Sequence, residues 1–220
     1  MFYLSYIVDK NTPTYGDRNK FVQVKKSDIS NGDIANDTLI SSTVHIGTHV
    51  DMPYHFYENG QTIMDYDADF WVFKKPLIIE IIQDDLIINN NLIERLNSIE
   101  NIGYDILIVK TGMCNIRDDE KFWQENYGFH PDIYHVLIKR FPSIRIFGFD
   151  SISVSSFLNR MLGREAHKAF LNPDKPILLL EDMDLRGIDE NSKIKEILVS
   201  PFRIANCDGL PCTVFGRFDD

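Results

Sequence analysis

The chain has 220 residues, 44% of them hydrophobic, and carries a formal charge of −10. This size and composition fit one globular domain over residues 1–220 with a full core. No stretch approaches the roughly 20 apolar residues of a membrane span, and a nucleic-acid binder would show a basic stripe that this acidic chain lacks. We therefore expect a protein without a membrane or nucleic-acid partner, acting on a small molecule.

The N-terminus and the cysteines bear on the cellular compartment. The start, residues 1–6, lacks the basic and then apolar layout of a secretory signal peptide. Cys114, Cys207 and Cys212 are an odd number of cysteines without zinc-ribbon spacing, so we interpret them as reduced thiols. Both observations predict a cytoplasmic protein.

The first half of the chain is predicted to consist mainly of strands. Aromatic, aliphatic and β-branched residues favour strands over 2–8, 21–24, 38–46, 76–82 and 106–109. The strand over 38–46 is expected to lead into a segment rich in histidine. Leucine and isoleucine at helical spacing predict one short helix within 89–101.

The second half is predicted to mix helices with strands. We expect a helix over 132–141, a helix that begins at Ser155 or Ser156 and ends at Gly163, and a further helical stretch over 164–171. Strands are expected over 144–149, 176–180, 193–204 and 211–218. Because strands outnumber helices and the two do not alternate regularly, the predicted fold class is α+β.

Residues 45–55 concentrate the chemistry of the chain, with the sequence His-Ile-Gly-Thr-His-Val-Asp-Met-Pro-Tyr-His. His45, His49, Asp51 and His55 share one parity, so in an extended chain their side chains would point to the same side. The alternate residues at 46, 48, 50 and 52 would then pack against the core. Imidazole and carboxylate groups in one short segment indicate a metal site, for which zinc is suited and manganese or iron are alternatives.

A straight strand cannot gather these side chains around one ion. At about 3.3 Å per residue, His45 and His55 would lie roughly 33 Å apart. A helix would place His45 and His49 on one face, but Gly47, Pro53 and the β-branched residues between them disfavour it. We therefore predict a bent segment with Gly47 and Pro53 as its hinges.

This motif resembles the signature of the metal-dependent cyclase-like hydrolases, which include the bacterial kynurenine formamidases and the isatin hydrolases. Other stretches are similar to the family in the same order, namely Leu4-Ser5 with Pro13, Thr111-Gly112, Gly148-Phe149-Asp150-Ser151, Leu180-Glu181 and Asp208-Gly209-x-Pro211. The resemblance implies a swivelling β/β/α domain, with a mostly antiparallel or mixed sheet and flanking helices. It also implies a homodimer or homotetramer.

The resemblance further implies roles for individual residues. The implied ligands of one or two divalent ions, zinc first and manganese second, are His45, His49, Asp51, His167 and Glu181. Asp51 would bridge the two ions, and His55 would be the general acid/base. The interval before Glu181 is longer than in the family, so Asp182 or Asp184 is an alternative ligand.

The implied reaction is hydrolysis of an aryl-formamide, with N-formyl-L-kynurenine giving kynurenine and formate. Where the family has an aromatic residue followed by Pro-Gly-Asp, this chain has Tyr15-Gly16-Asp17, so Tyr15 is the candidate substrate-binding residue. The alternatives are a sister hydrolase that opens a cyclic amide or lactone, and a non-catalytic metal- or ligand-binding protein. Cys114 is not expected to be a nucleophile, because no histidine is close to it in sequence. His130 and His135 are expected to be structural or surface residues.

Overall fold

The secondary structure is given by a computed structural model, which describes residues 1–219. Asp220, the last residue of the predicted domain, lies outside the described residues. The strands are β1 (Phe2–Tyr3), β2 (Val22–Ser27), β3 (Asp37–Ser41), β4 (His49–Asp51), β5 (Val72–Phe73), β6 (Pro76–Glu80), β7 (Ile87–Ile88), β8 (Ile106–Lys110), β9 (Gly128–Phe129), β10 (Ile146–Phe149), β11 (Leu178–Glu181), β12 (Ile194–Pro201) and β13 (Gly209–Phe218). The α-helices are α1 (Asn90–Ser98), α2 (Lys121–Gln124), α3 (Asp132–Arg140) and α4 (Arg160–Phe170).

A mixed sheet of nine strands organises the described chain. Its order is β5-β12-β13-β4-β11-β10-β8-β6, with β1 pairing to β13. Strands β6, β8, β10 and β11 run parallel to one another. Strands β4, β13, β12 and β5 each pair antiparallel with their neighbours. Because β12 also contacts β6 at the far edge, the sheet curls into a nearly closed barrel. The α+β class and the mixed sheet with flanking helices are thus confirmed.

The parallel strands are buried on both faces. Leu107 and Val109 of β8 pack into the cluster beneath the helices, whereas Ile106 and Ile108 pack into the cluster enclosed by the curled sheet. This alternation explains why the strand is a continuous apolar run. Helices α1, α3 and α4 lie side by side over the outer face. Within residues 1–219 no helix has the length and apolar character to span a membrane.

The prediction of a strand over 38–46 that leads into the histidine motif is wrong in its extent. Strand β3 ends at Ser41 and pairs with β2 in a separate, exposed two-stranded ribbon. The strand of the histidine motif is β4, which is only His49–Asp51 and lies between β11 and β13. Strand β3 ends at Ser41 because its partner, β2, begins at Val22 opposite that residue. Gly47, whose φ of +57° is left-handed, then turns the chain just before β4.

Two other predictions need correction. The N-terminal strand is Phe2–Tyr3 rather than 2–8. Residues 155–171 contain one helix, α4, with Asn159 as its N-cap, rather than two stretches that meet at Gly163. Gly163 lies inside α4. A Cβ at this position would stand 1.9 Å from the Ser155 hydroxyl oxygen, so the glycine allows the helix to pack closely against Ser155. The helices within 89–101 and 132–141 are confirmed.

Candidate metal centre

The histidine motif bends where the sequence predicts. Gly47 has a left-handed φ of +57° and Pro53 opens a 3-10 turn over Pro53–His55. As a result, the ring centroids of His45 and His55 are 4.3 Å apart, whereas a straight strand would separate these residues by roughly 33 Å. The bend and both hinges are confirmed.

The side chains between the histidines anchor the motif to the core. Ile46, Thr48, Val50 and Met52 are all buried, as the alternating pattern predicts. The Thr48 hydroxyl donates a hydrogen bond to the carbonyl of Asp182 at 2.6 Å. The motif is thereby fastened to the chain that leaves β11.

The sheet brings Glu181 and His49 together. These residues are direct partners in the antiparallel pair of β11 and β4, so their side chains lie on the same face of the sheet. Asp51 is two residues from His49 and shares that face. Helix α4 packs over it and contributes His167, whose Nε2 is 3.5 Å from Asp51 Oδ2.

Backbone carbonyls fix the tautomers of both buried histidines. His49 donates from Nδ1 to the Gly47 carbonyl at 2.8 Å, and His167 donates from Nδ1 to the Gly163 carbonyl at 2.8 Å. In each neutral ring the lone pair is therefore on Nε2. Such a hydrogen bond at the far nitrogen is typical of a histidine that binds a metal.

The two Nε2 atoms face carboxylates rather than donors. His49 Nε2 lies 3.4 Å from Asp51 Oδ1 and 3.4 Å from Glu181 Oε2, and it has no hydrogen-bond partner among residues 1–219. One ligand atom each from His49, Asp51 and Glu181 lies within 4.8 Å of the others. A buried group of converging acceptors is costly unless a positive charge joins them. The donor set therefore fits a divalent metal ion.

The pKa shifts in the cluster also indicate that a positive charge belongs between these side chains. Burial disfavours the charged form of His49, but the carboxylates of Asp51 and Glu181 beside Nε2 outweigh burial and raise the pKa of His49 well above its ordinary value. Burial acts to raise the pKa of Asp51, yet the charge of His45 and hydrogen bonds from its histidine neighbours hold that pKa well below the usual range. The Asp51 carboxylate thus stays ionised and attracts positive charge.

A second group lies on the outer side of Asp51. His45 contacts Asp51 Oδ1 through Nδ1 at 2.8 Å and Asp208 Oδ2 through Nε2 at 2.8 Å. A ring with a carboxylate at each nitrogen is an imidazolium: burial lowers the pKa of His45, but these carboxylates raise it to about 9. Binding a metal ion through His45 would require one of these contacts to open. His55 donates from Nδ1 to the same Asp208 oxygen at 2.9 Å.

The three candidate carboxylates at and after the end of β11, namely Glu181, Asp182 and Asp184, contact different partners. Asp182 accepts two hydrogen bonds from Arg117, at 2.8 and 2.6 Å. Asp184 accepts two from Arg186, at 2.8 and 2.6 Å. Glu181 is thus the member of this trio that lies beside the buried histidines.

A cleft of about 280 Å³ opens onto these side chains. Tyr15 stands in its wall, with its ring edge-on to Phe157 at 5.4 Å between centroids. The Tyr15 hydroxyl is buried and has no hydrogen-bond partner within residues 1–219. Neither Cys114, which is buried, nor His130 or His135 lines this cleft.

The sequence profile of the Cyclase family matches residues 2–156, which is most of the chain. This chain belongs to the Cyclase family.

Sequence relatives of this Cyclase-family chain come from plants and bacteria. Cyclase-like protein 2 of Oryza sativa is 27% identical over 197 residues, covering 86% of this chain and 68% of the rice protein. A kynurenine formamidase of Bacillus cereus is 25% identical over 209 residues, covering 94% of this chain and 92% of the relative. Among solved structures, isatin hydrolase A from Labrenzia aggregata has the same fold, with a TM-score of 0.79 and 19% identity over 99% of this chain and 93% of that one.

Two residues at the site of this Cyclase-family chain could not be predicted from the sequence. In the sequence, Asp208 stands out only as part of a motif, and Arg117 does not stand out at all. The signal for Asp208 was its place in Asp-Gly-x-Pro, where Gly209 is required because a Cβ there would stand 2.5 Å from the His45 ring. Arg117 carries no comparable signal, because its role depends on a contact with Asp182, 65 residues away.

Proposed function

We propose that this chain is a metal-dependent hydrolase that cleaves the C–N bond of an aryl-formamide, with N-formyl-L-kynurenine as the substrate and kynurenine and formate as products. The observation that carries the proposal is the pair of buried Nε2 lone pairs, on His49 and His167, facing the carboxylates of Asp51 and Glu181. The name of the Bacillus cereus relative supports this choice of substrate.

The residues that would hold the metal are the buried cluster of His49, Asp51, His167 and Glu181, together with His45 if one of its carboxylate contacts opens. Zinc is the first choice of ion and manganese the second. Such an ion lowers the pKa of a water ligand from about 15.7 to near 7 and polarises the carbonyl under attack.

His55 would move protons next to this cluster. Asp208 holds its Nδ1–H, so Nε2 is the nitrogen that can take a proton from water and return it to the leaving amine. The Asp208 carboxylate would stabilise the imidazolium formed in between. Catalysis by a nearby cysteine is not needed, and Cys114 lies outside the cleft.

A cyclic amide is the second candidate substrate, because isatin hydrolase A shares the fold. The cleft of about 280 Å³ suits a compact ring substrate, since drug-sized pockets span roughly 300 to 1,000 Å³. A non-catalytic metal-binding protein is a weaker candidate, because such a protein has no use for the His55–Asp208 pair beside the ligands.

A substrate panel tests these alternatives. The purified protein, loaded with zinc or with manganese, is assayed on N-formyl-L-kynurenine, formanilide and isatin, following formate release or ring opening. We expect N-formyl-L-kynurenine to have the highest kcat/KM. Preferential opening of isatin would favour the second candidate, and bound metal without turnover of any substrate would contradict the hydrolase.

A further inference from the structure

Two arginines lie near the Phe157 ring, which packs against Tyr15 in the wall of the cleft. Arg18 lines the cleft, following directly on the turn that carries Tyr15. Arg160 is the first residue of α4, and its guanidinium carbon lies 5.8 Å from the centroid of the Phe157 ring. Both side chains belong to exposed residues, in a protein whose net charge is −10.

The backbone at Gly16 brings these groups to one place. Gly16 has a left-handed φ of +70°, and a Cβ built on it would stand 3.3 Å from Phe157 Cε2 and 3.9 Å from Arg18 Nε. Arg18 and the ring under Arg160 thus flank the same point. Tyr15 is next to Gly16 in sequence and packs edge-on against the same Phe157 ring.

Neither guanidinium is neutralised by the protein. Within residues 1–219, the side chains of Arg18 and Arg160 form no ion pair and donate no hydrogen bond, whereas Arg117 and Arg186 each bind an aspartate. Asp17, which directly precedes Arg18, forms its ion pair with Lys20 instead, at 2.7 Å from Lys20 Nζ. The arginines are therefore available to an anion, and guanidinium groups are suited to carboxylates because they offer paired donors.

The Tyr15 hydroxyl adds a third unused group. It is buried in the cleft without a partner among the described residues, although a buried phenol ordinarily has one. Burial raises the pKa of Tyr15, and the positive charge of Arg160 opposes that rise. The cleft that opens onto the metal cluster is thus lined by two unused donors, Arg18 and the Tyr15 hydroxyl.

We propose that Arg18 and Arg160 form a carboxylate-binding subsite at the mouth of the cleft. The preferred substrates are then aryl amides that carry a carboxylate remote from the scissile bond, whereas neutral amides such as isatin are poor substrates. This substrate class rests on the proposed hydrolase function, but the subsite itself is defined by its affinity for the anion.

Isothermal titration calorimetry with a matched pair of uncleavable ligands tests the subsite. The probes are 3-benzoylpropionate and 3-benzoylpropionamide, which have nearly the same shape and differ in charge, titrated into the zinc-loaded protein. We expect the carboxylate to bind about tenfold more tightly, as for one charge-assisted hydrogen bond. Arg18→Gln and Arg160→Gln should each lose most of this preference.

Arg95→Gln is the matched control, because Arg95 is an exposed arginine of α1 whose partner is Glu190. This variant makes the same change in net charge and should keep the full preference. Equal affinity of the wild-type protein for the two ligands, or a preference that survives in the Arg18→Gln, Arg160→Gln double variant, would overturn the subsite. A preserved preference without any formate release from N-formyl-L-kynurenine would support the subsite and overturn the proposed function.

Discussion

His55 donates a hydrogen bond from Nδ1 to Asp208 Oδ2 at 2.9 Å, across 153 residues of sequence. The same oxygen contacts His45 Nε2 at 2.8 Å. Hydrogen bonds from His45 and His55 hold the pKa of Asp208 well below its usual range, so the carboxylate is ionised at neutral pH. The orientation of His55 therefore depends on a residue from the loop before β13.

Under the proposed function, Asp208→Asn should lower kcat by about 10- to 100-fold, the usual cost of losing a carboxylate that orients a histidine at a metal site. The amide keeps the shape of the side chain but removes the negative charge that fixes both rings. Steady-state kinetics on N-formyl-L-kynurenine give the loss, and elemental analysis should show that metal content is retained. A variant with wild-type kcat would show that Asp208 does not position His55.

His55→Gln should retain metal and lose turnover by about 10²- to 10⁴-fold, the contribution typical of a general acid/base. His135→Gln is the control, because His135 is an exposed histidine of α3 and should leave turnover unchanged. Metal content and kcat are measured on the same preparations. If both fall together in His55→Gln, then His55 is a ligand rather than the proton-transfer group.

Gly163→Ala should destabilise the protein, although alanine is the better helix former by about 1 kcal/mol. The new Cβ would stand 1.9 Å from the Ser155 hydroxyl oxygen, so α4 must shift, at a cost of about 1–3 kcal/mol. The shift would also move the carbonyl that orients His167, and metal affinity should fall. Urea unfolding and metal titration measure the two effects.

Gly187→Ala serves as the control for this comparison, because a Cβ at Gly187 would meet nothing within 4 Å. Its free energy of unfolding should match that of the wild type to within about 0.5 kcal/mol. Equal stability of Gly163→Ala and the wild type would show that α4 accommodates the methyl group without moving.

Cys114 should react slowly with iodoacetamide, because burial and the nearby charge of Asp150 raise the pKa of its thiol. Cys207 is only half-buried and should be alkylated first. Mass spectrometry over a time course gives the order, and Cys114→Ala should retain wild-type kcat. Fast modification of Cys114 together with loss of turnover would revive a covalent mechanism.

Much of the fold could be predicted because the relevant patterns are local. The apolar runs at 76–82 and 106–109 and the helical spacing within 132–141 each encode one element. The strand predicted over 38–46 is too long, because strand propensity does not show where the partner strand begins and ends. Its first half pairs with β2 in the ribbon, whereas the left-handed Gly47 ends any continuation towards His49.

The candidate site divides in the same way. His45, His49, Asp51 and His55 lie in one segment, so parity and distance arguments could reach them and their bend. His167 and Glu181 come from α4 and β11, and only the family resemblance pointed to them. Their proximity to the motif depends on strand pairing and helix packing, which no local pattern records.

Metal content and turnover, measured together, test the central claim most directly. The wild-type protein and His49→Ala are purified in parallel, analysed for divalent metals by mass spectrometry, and assayed for formate release from N-formyl-L-kynurenine before and after chelation. We predict one or two bound ions per wild-type chain, turnover that disappears on chelation and returns with zinc or manganese, and loss of both metal and turnover in His49→Ala. Full turnover by metal-free protein, or wild-type metal content in His49→Ala, would contradict the account.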